Sequence, residues 1–266
     1  DSVTSIGYMA FAHCIGLTNV TIPDSVINLG EYAFYACSNL KSVTMPQKIN
    51  SIERATFAEC SKLTNITIPD GVKSIGQEAF KYCGFANIII PDSVTSIGSY
   101  AFCGCDELSE IVIPDSVTSI EASVFTGCEA LKMVKLPDKL MTINGYMFSN
   151  CRNLTSVIMP DTVRNIGARA FSGCRSLSSL TIPDGVTDIG EKAFFDCGGL
   201  EKISVDKENE TYHSDGNCLI ETASKTLVLG CKNSVIPADG SVISIGDNAF
   251  YGCKGLQNIK IPNCII

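Results

Sequence analysis

The chain has 266 residues, 45% of them hydrophobic and only 18% charged, with no tryptophan, two histidines and a formal net charge of -8. That charge argues against a nucleic-acid binder, which needs clustered Lys and Arg against phosphate, and against an electrostatic grip on an anionic membrane. No apolar run approaches the ~18 residues of a membrane-spanning helix, and the first residues show no basic-then-apolar leader.

Taken in chain order, the sequence repeats itself. Prolines fall at Pro23, Pro46, Pro69, Pro91, Pro114, Pro137, Pro160 and Pro183, in steps of 23 residues with a single step of 22 between Pro69 and Pro91. Phenylalanines keep the same beat, at Phe11, Phe34, Phe57, Phe80, Phe102, Phe125, Phe148, Phe171 and Phe194, and again at Phe250. The unit reads L-x-x-I-x-I-P-D-x-V-x-x-I-G-x-x-A-F-x-x-C-x-x, and its period lies in the range of leucine-rich repeats. In "LTNITIP", Leu63, Ile66 and Ile68 share one side of a short strand and Thr67 points the other way. Proline ends the strand, because it has no N–H for a ladder, and Pro-Asp-Ser or Pro-Asp-Gly is turn chemistry. "VTSI" supplies a second short extended piece. "AFCGC" fits about one helical turn, with Ala101, Phe102 and Cys105 facing inward. The position after the SI pair is usually glycine, but Glu53 and Glu121 occupy it too, so it needs no positive φ. Glycine there suits a tight bend or close packing of coils.

The beat breaks after Cys197. The stretch from Ser204 to Pro237 lacks the A-F-x-x-C phrase and holds two apolar runs, "NCLIET" and "TLVLGC", on either side of "ASK". These predict a β-hairpin with a polar lead-in loop. With Ser224 and Lys225 at the tip, Thr222 would face Leu227, Ile220 would face Leu229 and Cys218 would face Cys231, all on one face. In a secreted protein Cys218 and Cys231 would then be candidates for a disulfide. No repeat buries its apolar side alone, so one contiguous core over residues 1–266 is expected. Regular repeats fill 1–203, the atypical unit 204–237, and a terminal repeat 238–266. Asp1 and "IPNCII" both fall inside repeats, so the chain is read as a piece of a longer protein.

The phrase "LTNITIPDGVKSIGQEAFKYC", Leu63 to Cys83, resembles the BspA-type leucine-rich repeats of bacterial surface proteins, and similar arrays occur in some protist surface proteins. The resemblance covers nearly the whole chain. Repeat and resemblance together predict a leucine-rich repeat solenoid, curved and right-handed. It would carry parallel β-strands on the concave side, short helical turns on the opposite side and one inserted β-hairpin unit. Arrays of this type often carry a "Y-x-S-x-D-G-x-L" hairpin, which Tyr212, Ser214, Gly216 and Leu219 match loosely.

Ten of the fourteen cysteines lie on the beat: Cys14, Cys37, Cys60, Cys83, Cys105, Cys128, Cys151, Cys174, Cys197 and Cys253. A column of buried free thiols, each behaving as a small hydrophobe, is the expected reading. Bridges between coils and a zinc site at Cys103 and Cys105 are the alternatives. Catalytic residues are not evident. His13 is placed at the solvent edge of a short helix, and His213 lies in "YHSD", where neighbours in sequence rarely converge into a triad. The aspartates after proline (Asp24, Asp70, Asp92, Asp115, Asp138, Asp161 and Asp184) form a column that could recruit calcium, but turn residues bonding their own backbone explain it without a metal. N-x-T sequons at Asn19, Asn65, Asn153 and Asn209 matter only in a glycosylating host.

Solenoids bind along their concave sheet. The outward residues there are polar toward both ends of the array, but in the middle Ile89, Val112 and Ile158, with Met133 two residues before Lys135, make an apolar strip. The resulting expectation is a cell-surface or secreted protein-binding or adhesion module. It would hold a host or neighbouring-cell protein on the concave face, without enzymatic activity, cofactor, nucleic acid or membrane insertion. A structural spacer that displays another domain is the alternative.

Overall fold

A computed structural model describes residues 2–266. The chain divides into two compact units, one ending at Pro137 and one running Asp138–Ile266. Each is a parallel-strand solenoid in which one repeat makes one coil.

In the first unit the I-x-I segments pair in parallel, with Asn19–Thr21, Ser42–Thr44 and Asn65–Ile66 in one ladder and Glu110–Val112 beside Met133–Lys135 in another. The SI segments form a second wall: Ser5–Ile6 pairs with Asn28–Leu29, and Ser51–Ile52, Ser74–Ile75, Ser96–Ile97 and Ser119–Ile120 pair in sequence. Partners are one repeat apart, so inward residues meet inward residues, Val20 with Val43 and Ile111 with Val134, and in the latter pair both are buried while their strand neighbours are exposed. The phenylalanines stack in a column, Phe34 on Phe57 at 5.5 Å and Phe80 on Phe102 at 5.6 Å, with ring planes within 13° of parallel. Such ring pairs add roughly 0.5–1.5 kcal/mol beyond their burial.

The A-F-x-x-C side is not helical. Among the described residues there is no helix; the segment is a chain of hydrogen-bonded turns. In one coil Ala33, Tyr35 and Cys37 N–H groups donate three residues back, to Gly30, Tyr32 and Phe34. The alternate N–H groups of Tyr32, Phe34 and Ala36 donate to Arg54, Thr56 and Ala58 of the following coil, at 2.8–2.9 Å. Tyr32 and Ala36 have φ of 57° and 55°, the sign that a type II turn demands at its third residue. A left-handed residue at every fourth position, and N–H groups committed to the next coil, leave no run from which an α-helix could form. The glycine after the SI pair serves close packing, as expected: a Cβ on Gly30 would meet Gly7 backbone carbon at 2.6 Å, and its φ is not in the left-handed region.

The coil between Pro69 and Pro91 has lost one residue between Cys83 and Ile88. Phe85 takes the place of the usual leucine, is fully buried, and meets Phe80 and Phe102 edge-on at 5.8 and 6.3 Å. Residues 86–90 drop out of the strand ladder; their backbone link to a neighbouring coil is Ser109 N–H to Ala86 C=O.

In the second unit Ser179–Ile182 pairs with Lys202–Val205, and Thr142–Ile143, Asn165–Ile166 and Asp188–Ile189 form the other wall. The atypical stretch is a three-stranded antiparallel meander, Tyr212–Asp215, Cys218–Glu221 and Thr226–Leu229, whose last strand rejoins the parallel order against Ser244–Ile245. Its first strand lies where the sequence suggested a polar lead-in loop. Gly216 and Asn217 both have positive φ, the signature of a type I′ hairpin. The expected register at the second turn is corrected: Ile220 faces Leu227 rather than Leu229, and Glu221 faces Thr226. The tip uses four residues, with Lys225 left-handed, and a bulge lies between Leu219 and Ile220.

Candidate functional site

The outward side chains predicted for the strip are exposed. Ile89, Val112 and Met133 are 82, 60 and 54% accessible, while Ile88, Ile90 and Ile111 beside them are buried. Together with Asn87, Glu110 and Lys135 they line a surface depression of about 580 Å³. It lies at the coil shortened by one residue, where residues 86–90 leave the ladder. The rim is acidic: Asp92, Asp115 and Glu110 surround a single cation, Lys135, whose Nζ is 3.9 Å from Asp115 Oδ2. Both partners of that pair are about half exposed, so it contributes little to stability. Along the same row, Thr21, Thr44 and Thr67 are exposed and polar. In the second unit Ile158 is 81% exposed on its own strand, and Thr181 and Ser204 hydroxyls bond at 3.0 Å on theirs.

The other candidates are scattered. His13 is exposed and edge-on to Tyr35 at 5.3 Å. His213 Nδ1 lies 3.0 Å from Thr222 Oγ1, whereas Ser214 Oγ accepts from Val205 N–H; as strand neighbours the two point to opposite faces and do not converge. The post-proline aspartates are exposed, and Asp24 accepts a bond from Gln47 N–H at 2.9 Å. Among the described residues no group of three or more His, Cys, Asp or Glu is placed to hold a metal ion. Asn19, Asn65 and Asn153 are exposed, but Asn209 is buried, with its amide donating to Pro183 and Val186 carbonyls.

All fourteen cysteines are free. Those on the beat do more than fill space: each buried Sγ–H donates to the phenylalanine carbonyl of the preceding coil, Cys37 to Phe11, Cys60 to Phe34, Cys83 to Phe57, Cys105 to Phe80 and Cys128 to Phe102, at 3.1–3.2 Å. Burial pushes Cys60 up to about 12 and Cys83, Cys105 and Cys128 well above the ordinary thiol value. Cys218 and Cys231, the candidate disulfide pair, are both buried and unbonded. Cys231 Sγ–H donates to Asn217 C=O at 3.7 Å, and Cys218 is raised to about 11 by burial.

Residues 1–109, 95–216 and 226–266 match the family described as BspA type Leucine rich repeat region, in 6 copies. The chain belongs to that family. A leucine-rich repeat protein from Bacteroides ovatus is 32% identical over 99% of this chain and 78% of its own, with a TM-score of 0.75. One from Eubacterium ventriosum (23% identity, 92% of this chain, 73% of that one, TM-score 0.58) and the pneumococcal vaccine antigen PcpA (18%, 98% and 71%, TM-score 0.53) share the fold. No curated protein matches the chain. In this BspA-type chain Ile89 and Val112 occupy positions that hold threonine in the first coils, and Met133 stands in register with Glu110. The depression beneath it owes its place to the shortened coil, which the step of 22 between Pro69 and Pro91 signals.

Proposed function

We propose that this BspA-type chain is a non-catalytic protein-binding module, displayed at the cell surface or secreted, that holds a partner protein by the sheet face. The observation that carries the reading is the cluster of exposed Ile89, Val112 and Met133 over a depression, where the corresponding outward positions of the first coils, Thr21, Thr44 and Thr67, are polar. Exposed apolar clusters rimmed by polar groups mark interaction sites. Family membership supports a surface protein, and the acidic rim of Asp92, Glu110 and Asp115 favours a partner that presents apolar side chains flanked by Lys or Arg. The test is capture of cell-surface and matrix proteins by the chain and by an Ile89→Ser, Val112→Ser, Ile158→Ser variant. Burying an aliphatic side chain contributes roughly 1.5–3 kcal/mol, so loss of these contacts should weaken a specific partner by at least about tenfold, with an unchanged melting temperature. Equal capture by both proteins would refute the reading.

A further inference from the structure

The turn layer of the second unit has a gap where its hydrogen-bond ladder stops. One coil earlier the ladder is complete: Arg169, Phe171 and Gly173 N–H groups donate to Glu191, Ala193 and Phe195 carbonyls at 2.7–3.1 Å. In the next step Lys192 and Phe194 N–H should do the same, but the coil that would receive them is the atypical one. There Gly230 stands where phenylalanine belongs, since its N–H donates to Ala249 C=O at 2.8 Å and its C=O accepts Cys253 Sγ–H at 3.5 Å. A regular coil takes five residues from Ile189 to Phe194; this one takes three from Leu227, which pairs with Ile245, to Gly230. Two residues of the turn layer are missing. Among the described residues, Lys192 N–H and Phe194 N–H on one wall, and Asp247 C=O on the other, are left without a partner.

The space left is a notch of about 290 Å³ with Val228 and Leu229 among its lining residues. One of its lining rings, Phe195, stacks on Tyr251 at 3.9 Å, so the coils meet directly there. Exposed carboxylates, Glu191 and Asp247, flank it; Lys192, also in the lining, is taken up by Glu191 at 2.6 Å, so the remaining charge is that of Asp247 and disfavours an anion. Donors two residues apart on one chain match carbonyls two residues apart on another, as in any parallel pairing. The carbonyl opposite needs an N–H. A peptide backbone supplies both.

We propose that this notch binds a short extended segment of a partner protein, which completes the interrupted layer with its backbone and has small side chains to fit the space. This site shares no residue with the apolar strip and does not depend on it.

The probe is the capped peptide Ac-Gly-Ala-Gly-Ala-NH2, titrated into the full chain with amide chemical shifts and hydrogen exchange read residue by residue. Shifts and slowed exchange centred on Lys192 and Phe194 are expected. Val228→Trp, which fills the floor, should weaken binding by about tenfold or more through loss of the backbone contacts. Inserting two residues between Val228 and Leu229 should protect the same amides without peptide. That second variant keeps the test decisive if the first fails to fold. The proposal is overturned if the amides do not respond to the peptide, if acetate or N-acetylglucosamine reproduces the shifts, or if the amides are protected by self-association of the chain alone.

Discussion

Replacing Gly127 by alanine tests the turn layer by sign. Gly127 is the third residue of the turn closed by Cys128 N–H to Phe125 C=O at 3.1 Å, and its φ is 75°. A Cβ placed there would meet nothing nearer than Gly104 backbone atoms at 3.8 and 3.9 Å, ordinary contacts, so backbone conformation alone decides the outcome. A left-handed residue with a Cβ costs roughly 1–2 kcal/mol. The reduced freedom of the unfolded chain returns about 0.4–1 kcal/mol. The net expectation is a destabilisation on the order of 1 kcal/mol, or about 2 °C in melting temperature for a chain of this size. Gly127→Asn should be close to neutral, because asparagine tolerates the left-handed region, as Asn150 does at the same place in its own coil. Urea unfolding followed by circular dichroism reads both variants. Were the segment a helical turn, alanine would be the more stable residue by about 0.5–1 kcal/mol, and a gain of that size would refute the left-handed turn at Gly127.

Buried thiols should make the fold alkali-sensitive. Folding raises Cys60 from 9.0 to about 12, so its contribution is complete below pH 9 and falls by about 1.4 kcal/mol per pH unit above it; Cys83, Cys105 and Cys128 act the same way, and unfolding midpoints that do not fall between pH 8 and 10 would contradict it. Asn209→Ala removes an amide that donates to two carbonyls and a side-chain oxygen that accepts from Thr211 and Tyr212 N–H, and should cost roughly 2–4 kcal/mol in urea unfolding. In a glycosylating host, mass spectrometry should find Asn209 unmodified while exposed Asn19, Asn65 and Asn153 remain acceptors.

The features legible in the sequence are those that cost one residue type per coil. Phenylalanine and cysteine recur at a fixed period because each must stack on its own copy, so the columns can be counted from the letters alone. The strip is readable for the same reason: Ile89 and Val112 stand at positions whose outward direction follows from the strand alternation around them. The turn layer is not legible, because its left-handed residues carry no common signature. Tyr32, Ala55, Glu78, Tyr100 and Arg169 all hold positive φ where only glycine or asparagine would have announced it. Their local strain is offset by hydrogen bonds to the next coil and by burial of the adjacent phenylalanine, interactions that no window of one repeat contains. A partial signal does exist just before the cysteines, where Gly104, Gly127, Asn150, Gly173, Asp196 and Gly252 cluster. In the hairpin, Gly216-Asn217 announces a two-residue turn, but the four-residue tip at Thr222–Lys225 offers no comparable mark, and the register read from the apolar runs is misplaced accordingly.

Regularity and function pull in opposite directions in such a chain. A coil that repeats its neighbour satisfies every backbone group and leaves only side chains for a partner to read. Where one residue is lost, between Cys83 and Ile88, the ladder opens and apolar side chains stand around a depression. Where two are lost, between Leu227 and Gly230, backbone donors are left bare. Unsatisfied groups of this kind are costly when buried and useful when a ligand can reach them. Both interruptions keep the core sealed: Phe85 fills the first, and the cluster of Cys218, Ile220, Leu227, Ile236, Val242 and Ala249 fills the second. In the proposed reading the stability of the array rests on its repeats, and recognition on the two coils that depart from them, so substitutions at these interruptions should change binding with less effect on folding than equivalent substitutions in the columns.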